Sequence, residues 1–398
     1  MKNFIFLSPN FPANYWRFCA NLRQNGMRVL GIGDCPYDEL TQDLRNSLDE
    51  YYKVSNLGNY DEVFRAVAFF TFKYGKIDYL ESNNEFWLER DAALRTEFNI
   101  TTGPKSEDME PMKYKSAMKA NYAKAGLPTA RYHLVDGFDE AKAFANMVGY
   151  PVVVKPDNGV GAGSTYRLSA DEELEFFFAT KDPSVQFIME EFVDGEVQTY
   201  DAIINSKGEP IFETGNVTPN SLMDVMNNAD NSVFYIVKDL PEKLLDAGRR
   251  TVKAFNVRSR YVHLEYFILK KDQPGLGKAG DVLGLEVNMR PPGGIAPDME
   301  NFANGVDVYK IWADMMAFDK TDVPMDRPHY FCGFCGRRDG KDFVMSHEDI
   351  MEQYGSKLVM VERVQDALSS IMGNQMYVGL YDSREETLEA FRRMCECK

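Results

Sequence analysis

Hydrophobic positions along the chain alternate between two periods. NFIFLS (3–8) is an apolar run of strand length. NYWRFCANLRQNG (14–26) then spaces Trp16, Cys19, Ala20 and Leu22 on a helical repeat and stops at Gly26, and MRVLGIGD (27–34) returns to a strand. The alternation continues through EYYKVSNL (50–57, strand), YDEVFRAVAFFTFKYG (60–75, helix), IDYLES (77–82, strand) and NEFWLERDAALRTEFN (84–99, helix). Strands and helices in strict alternation predict a parallel, doubly wound sheet. Gly31-Ile32-Gly33 lacks a third glycine and follows the second strand, so it reads as structural rather than as a dinucleotide loop.

ITTGPKSEDMEP (100–111) breaks the pattern. MKYKSAMKANYAKAG is a predicted helix ending at Gly126, with Pro128 beyond. TARYHLV, YPVVVKPD and STYRLS read as strands, and DEAKAFANMVG and DEELEFFFATK as helices. QFIMEEFVDGEVQTYDAII (186–204) holds two strands about a turn at Asp194-Gly195. YVHLEYFIL (261–269) and LEVN (285–288) are apolar strands joined by a glycine-rich link, a hairpin. Residues 300–320 read as helical, and the tail mixes strands and helices before the charged helix SREETLEAFRRM. There is no internal repeat.

With 398 residues, 44% of them hydrophobic, the chain can build two or three domains. A net charge of −16 argues against nucleic acid and anionic membrane as partners. No run of about 18 apolar residues is present. The N-terminal apolar stretch breaks at Pro9 and Pro12 instead of forming a signal peptide, so a cytoplasmic protein with reduced thiols is expected. Cys332-Gly-Phe-Cys335 has the spacing of half a zinc site, which Cys395 and Cys397 would complete; the alternative is two unrelated thiol pairs.

The densest chemistry lies in LEVNMRPPGG (285–294). If Val287 points into a core, Glu286 and Asn288 share the opposite strand face, with Arg290 a step further. The hairpin would bring Glu265 beside Glu286. Oxygen ligands suit Mg²⁺ and a guanidinium suits phosphate, so this face fits the terminal phosphates of a nucleotide. VVVKPDNGVGAGST (152–165) delivers Lys155 on a strand and follows it with Gly159, Gly161 and Gly163, whose backbone N–H groups can wrap phosphate; a plain surface loop is the alternative. IMEEFVDGE (188–196) ends a strand with Glu190, Glu191, Phe192 and Val193, then Glu196; a plain acidic hairpin would read the same way.

Together these segments resemble the ATP-grasp superfamily. Its motif order is met by Lys115 before Gly126, by VVKP with its glycine loop, by EEFVDGE, by HLE and by EVNMRPPGG. HLE and N-x-R-P-x-G-G look most like the carboxylate–amine ligase branch, near the L-amino-acid ligases, biotin carboxylase and the carbamoyl-phosphate synthase large chain. The resemblance implies an α/β and α+β chain in four parts: a Rossmann-like pre-ATP-grasp domain (1–105), a small lid subdomain (106–186), a large subdomain with the metal and phosphate site (187–322) and a C-terminal α/β subdomain (323–398).

It also implies residue roles. Lys115 and Lys155 would contact the α- and β-phosphates, with Lys113 competing for the first place. Gly159, Gly161, Gly163, Ser164 and Thr165 would close over the phosphates. Glu190, with the backbone of Glu191 and Val193, would read adenine, Phe192 would pack nearby, and Glu196 would hold ribose, although the family often has one more residue before this glutamate. Glu265, Glu286 and Asn288 would bind two Mg²⁺, Mn²⁺ being an alternative. Arg290, Lys155 and His263 complete the catalytic set; His263 either faces substrate or is a buried, hydrogen-bonded histidine. The implied reaction joins a carboxylate and an amine, amino acids among them, through an acyl phosphate, in a homodimer. The alternatives are an ATP-grasp kinase or carboxylating enzyme and a nucleotide-binding regulator. Residues 213–230, polar and irregular, could line the substrate site.

Overall fold

A computed structural model describes residues 1–159, 165–219 and 230–398. The first sheet contains β1 (Asn3–Leu7), β2 (Arg28–Gly33), β3 (Glu50–Lys53) and β4 (Tyr79–Glu81), all parallel, in the order β3-β2-β1-β4. β1 is buried along its whole length, as a strand covered on both faces must be. The helix Trp16–Gln24 buries Phe18, Cys19 and Leu22 and leaves Trp16 at the edge. Phe18 packs edge-on against Tyr309 and Trp312 (centroids 4.7 and 4.9 Å apart) of the helix Val308–Phe318. That contact ties the first sheet to the rest of the chain.

A second sheet is antiparallel: β5 (Tyr132–Leu134), β6 (Val152–Pro156), β7 (Tyr166–Leu168) and β8 (Phe187–Glu191), in the order β5-β8-β6-β7. The helices Phe138–Val148 and Asp171–Thr180 cover it and close a core of its own.

The largest sheet holds β9 (Gly195–Ile204), β10 (Pro210–Thr214), β11 (Asn216–Thr218), β12 (Ser232–Ile236), β13 (Arg260–Leu269), β14 (Val282–Asn288), β15 (Phe331–Arg337), β16 (Leu358–Arg363) and β17 (Gln375–Tyr381). Its order is β14-β13-β9-β11-β12-β15-β17-β16, with β10 on β9. β8 and β9 flank the Asp194-Gly195 turn but belong to different sheets, so they are not a hairpin. The expected helix over 112–126 breaks at Tyr114, leaving Lys115–Lys124 as the helix that matters. A Cβ on Gly284 would sit 2.4 Å from the Tyr122 ring, so only glycine lets this helix press onto β14. Glu286, two residues on, therefore lies under the helix that carries Lys115.

The spacing of three in the CxxC puts its thiols on opposite faces of β15. Cys332 lies in one core cluster and Cys335 in another, where its Sγ is 3.3 Å from Cys395 Sγ, while Cys397 is exposed. Four sulfurs do not converge, and the zinc reading gives way to a single thiol pair. Among the described residues no helix is long and apolar enough to cross a membrane.

Candidate active site

The β13–β14 hairpin aligns Glu265 with Glu286 and His263 with Asn288. Val287 enters the core, and Asn288 Nδ2 donates to Glu265 Oε1 at 3.1 Å. Two carboxylates directly opposite across a strand pair repel unless a cation lies between or beside them. Part of that repulsion is relieved by Lys115, whose Nζ is 3.3 Å from Glu286 Oε1. Burial still raises the Glu286 carboxyl, and Glu265 adds to the rise. Burial pushes Glu265 up as well, but His263, Arg290 and Lys155 together hold it below its ordinary value. Arg290 Nη2 reaches Asn288 Oδ1 (3.3 Å), and its Nε faces Glu85 Oε2 at 3.8 Å.

A second ionic cluster adjoins the first. Glu190 on β8 is buried between Lys119, with which it makes a short ion pair, and Lys155, 2.6 Å away. Burial would raise this carboxyl, yet the two ammonium groups outweigh it and bring it to about 2. Lys155 loses to burial and regains more from Glu190, Glu286 and Glu265, so its ammonium is held above the ordinary value. The end of β6 is docked on the helix Lys115–Lys124: Asp157 accepts from Ser116 N and Oγ, both at 2.7 Å, and its carbonyl accepts from Lys115 N. A carboxylate at a helix N-terminus is favoured by the exposed N–H groups. Lys115 and Lys155 thus share one frame.

His263 Nδ1 lies 2.6 Å from the fully buried Asp201 Oδ1, and Nε2 is 3.5 Å from Glu265 Oε1. Burial works against the imidazolium, but Asp201 and then Glu265 raise it to about 9. Thr199 Oγ1 and Asn216 Nδ2 donate to the other Asp201 oxygen. Flanked by carboxylates on both nitrogens, His263 is a held cation rather than a free base.

The hairpin, Arg290, Lys115, Lys155, Glu190 and His263 are brought together. Other expected residues stand apart from them or are otherwise engaged. The Glu191 carboxylate is forked by Arg131 (2.7 and 2.8 Å), and its N–H donates to the Arg131 carbonyl, so neither is available to an adenine edge. Phe192 stacks under the Arg167 guanidinium and Val193 is buried in a small separate core. Glu196 accepts from Gln198 (2.7 Å) and from Arg384 of the C-terminal helix. Lys113 pairs with Glu85 at 2.9 Å and leaves the Glu286 position to Lys115. The Gly159 carbonyl accepts from Lys115 Nζ, and Thr165 is half-buried. Gly161, Gly163 and Ser164 lie outside the described residues, as do residues 220–229 of the polar segment 213–230.

Sequence reasoning missed Lys119, Asp201, Glu85 and Arg384. Lys119 had a signal: four residues after Lys115, it shares that helix face. Asp201 had one only through register, since it lies directly opposite His263.

No protein-family model matches the chain. The L-arginine-specific L-amino acid ligase of Bacillus subtilis is 24% identical over 240 residues, 58% of this chain and 56% of that protein. The chain thus spans little more than half the length of this relative. The crystal structure of an L-amino acid ligase from Bacillus licheniformis superposes with a TM-score of 0.71 at 15% identity, covering 99% of this chain and 97% of that one. The chain has the ATP-grasp fold. Another ATP-grasp structure, the biotin carboxylase domain of the Hydrogenobacter thermophilus 2-oxoglutarate carboxylase, was solved with MgADP, ADP and bicarbonate; it matches with a TM-score of 0.71 at 16% identity, over 99% of this chain and 89% of that one.

Among the described residues no three His, Cys, Asp or Glu side chains are arranged to hold a metal ion by themselves. The β13–β14 face offers two carboxylates and the Asn288 amide. That set fits Mg²⁺, which takes one or two carboxylates together with substrate phosphates rather than a closed protein cage.

Proposed function

We propose that the chain is an ATP-dependent carboxylate–amine ligase. The observation that carries this reading is the register of Glu265 on Glu286, with Asn288, Arg290, Lys115 and Lys155 converging on the same place. A pure nucleotide sensor does not need such machinery at the γ-phosphate. Lys115 and Lys155 would bind the α- and β-phosphates, and Arg290 the γ-phosphoryl group. Glu265, Glu286 and Asn288 would hold one or two Mg²⁺, which neutralise charge between phosphate oxygens when bound.

The substrate carboxylate attacks the γ-phosphorus, the bond to the β-bridging oxygen breaks, and ADP leaves. The amine attacks the acyl carbon, inorganic phosphate leaves with the C–O electron pair, and the amine gives up a proton as the amide forms. Protein side chains form no covalent bond; their work is orientation and stabilisation of developing charge. Arg290 faces the transferring group in both steps. His263, fixed by Asp201, would align Glu265 rather than take a proton. Glu190, shared by two lysines, would set the position of Lys155 rather than read adenine, and Glu196 would remain the ribose partner.

The test is release of ADP and phosphate with ATP and Mg²⁺ across a grid of amino acids and small carboxylates, singly and in pairs, with mass spectrometry of the products. Release that needs a pair, with a product equal to their sum less water, is expected. Release with one compound and a product heavier by a phosphoryl group would replace ligase by kinase.

A further inference from the structure

The strand β15 and the helix Arg384–Cys395 meet at two sulfurs. Cys335 Sγ lies 3.3 Å from Cys395 Sγ, close enough for one S–H to bridge them. The two thiols differ in surroundings. Cys335 is 1% exposed, in the core that also holds Tyr381, Phe391 and Met394. Cys395, the last residue of the helix, is partly exposed and lines a surface cavity of about 340 Å³ with Asp230 and Arg392. A small oxidant can therefore reach Cys395 but not Cys335.

The chain on both sides holds Cys395 in place. The helix before it starts at Arg384, whose Nε donates to Tyr235 Oη at 2.8 Å, on the same sheet as β15. After it, the Glu396 carbonyl accepts from Val344 N, and Lys398 N donates to the Asp342 carbonyl. Cys397 is exposed, and its Sγ donates to the Cys395 carbonyl at 3.7 Å.

Electrostatics separates the two sulfurs further. The Cys335 S–H favours a thiolate at Cys395 most, burial opposes it, and the charges of Arg337 and Lys341 favour it again, so this thiol falls below its ordinary value. Arg337 is itself fixed, stacked 3.5 Å from the centre of the Phe343 ring and donating to the Met345 carbonyl. The C-terminal end of a helix disfavours an anion, but only weakly at a surface. Cys335 moves the other way: the hydrogen bond to Cys395 and burial raise it well above its ordinary value. The thiolate is the nucleophile, and a buried neutral thiol is inert until a partner is oxidised beside it.

We propose that Cys395 and Cys335 form a peroxide-reactive dithiol site in which Cys395 attacks and Cys335 resolves. The site is separate from the β13–β14 face and does not rest on the ligase reading. The Cys395 thiolate attacks one oxygen of hydrogen peroxide. The O–O bond breaks, the other oxygen leaves as hydroxide and takes up a proton, and Cys395 becomes a sulfenic acid. The Cys335 sulfur then attacks the Cys395 sulfur, the S–O bond breaks, and the leaving hydroxide takes the Cys335 proton. Two thiols give up two electrons, one disulfide forms, and the peroxide ends as two waters.

The experiment treats the reduced full chain with one equivalent of hydrogen peroxide. Mass spectrometry should show the loss of two hydrogens, and peptide mapping a Cys335–Cys395 link, with Cys397 still open to alkylation. In Cys335→Ser, which removes the resolving thiol, a sulfenic-acid trap should label Cys395. Cys335→Ala, which puts no hydroxyl into the core, should do the same and guards against misfolding of the first variant. In Cys395→Ser, labelling of Cys335 should be at least about tenfold slower than labelling of Cys395 in those variants. Cys397→Ser should oxidise as the native chain does. Oxidation of Cys397 ahead of the pair, a Cys395–Cys397 link, or Cys335 labelled as fast as Cys395 overturns the proposal.

Discussion

Arg384 Nη2 lies 3.0 Å from Glu196 Oε1, so the helix Arg384–Cys395 reaches across to the start of β9. Arg384 Nε also donates to Tyr235 Oη at 2.8 Å. If Glu196 holds ribose, Arg384 competes for the same oxygens. Arg384→Ala should leave ATP affinity unchanged or tighter, whereas Glu196→Ala should weaken it about tenfold. The ion pair is half exposed, so the loss of stability should stay within ~1 kcal/mol. Equal loss of nucleotide affinity in both variants would make Arg384 itself the nucleotide contact.

Arg290 is placed against Asn288 and Glu85, beside the carboxylate pair. Arg290→Ala should abolish turnover, by about 100-fold or more, because it removes charge stabilisation made in the transition state. Nucleotide binding, measured by titration, should remain within a few-fold of native. Full turnover in the variant would remove the assigned role.

Glu190 offers a test in acid. Its carboxyl is held at about 2 in the folded chain against an ordinary 4.5. The folded value is the lower one, so the ion-paired carboxylate stabilises the fold above pH 4.5, and that stabilisation fades as pH falls from 4.5 toward 2. The difference corresponds to about 3 kcal/mol at neutral pH. Glu190→Gln should be destabilised relative to native at pH 7, with the gap narrowing by pH 3 in urea unfolding. A gap that does not change with pH would mean that packing, not charge, sets it.

Lys119→Met leaves Glu190 with one ammonium in a buried place. Removing one partner of a buried ion pair destabilises by about 3–5 kcal/mol, and Lys155 should moderate this toward the lower end. Thermal unfolding is the check. The same variant should alter KM for ATP, because Lys155 and Glu190 would relax toward each other.

The thiol pair predicts redox chemistry in place of metal binding. A thiol oxidant should join Cys335 to Cys395 and leave Cys332, on the other face of β15, reduced. Peptide mapping after alkylation in denaturant would show this, and zinc analysis of purified protein should find none bound. Alkylation of Cys335 to completion after oxidation would contradict the 3.3 Å approach.

Local patterning carried the parallel first sheet and the hairpin that pairs Glu265 with Glu286, because both depend on short-range periodicity and a short link. It did not carry the partner sheet of a strand. β8 and β9 read as one turn with two arms, yet their hydrogen bonds go to different sheets, a matter of long-range pairing that a period of two leaves open. Nor did it show that β15, β16 and β17 would extend the sheet that holds the site. Lys119 looks like an ordinary helix-surface lysine until Glu190 arrives from a strand some seventy residues later. Asp201 looks like one more strand residue until register sets it opposite His263.

Glu81, at the end of β4, is shared by Arg95, 2.8 Å away on the following helix, and by Arg260 on β13, which makes a short ion pair with it. Arg260 is almost wholly buried and also donates to the Met289 carbonyl beside Arg290. Excising the first hundred residues would therefore strand a guanidinium in the interior next to the Pro-Pro-Gly-Gly turn. The N-terminal portion is not an interchangeable cassette: any recombined chain that takes the β13–β14 hairpin and the turn after it must inherit Glu81, or a carboxylate in its place, along with it.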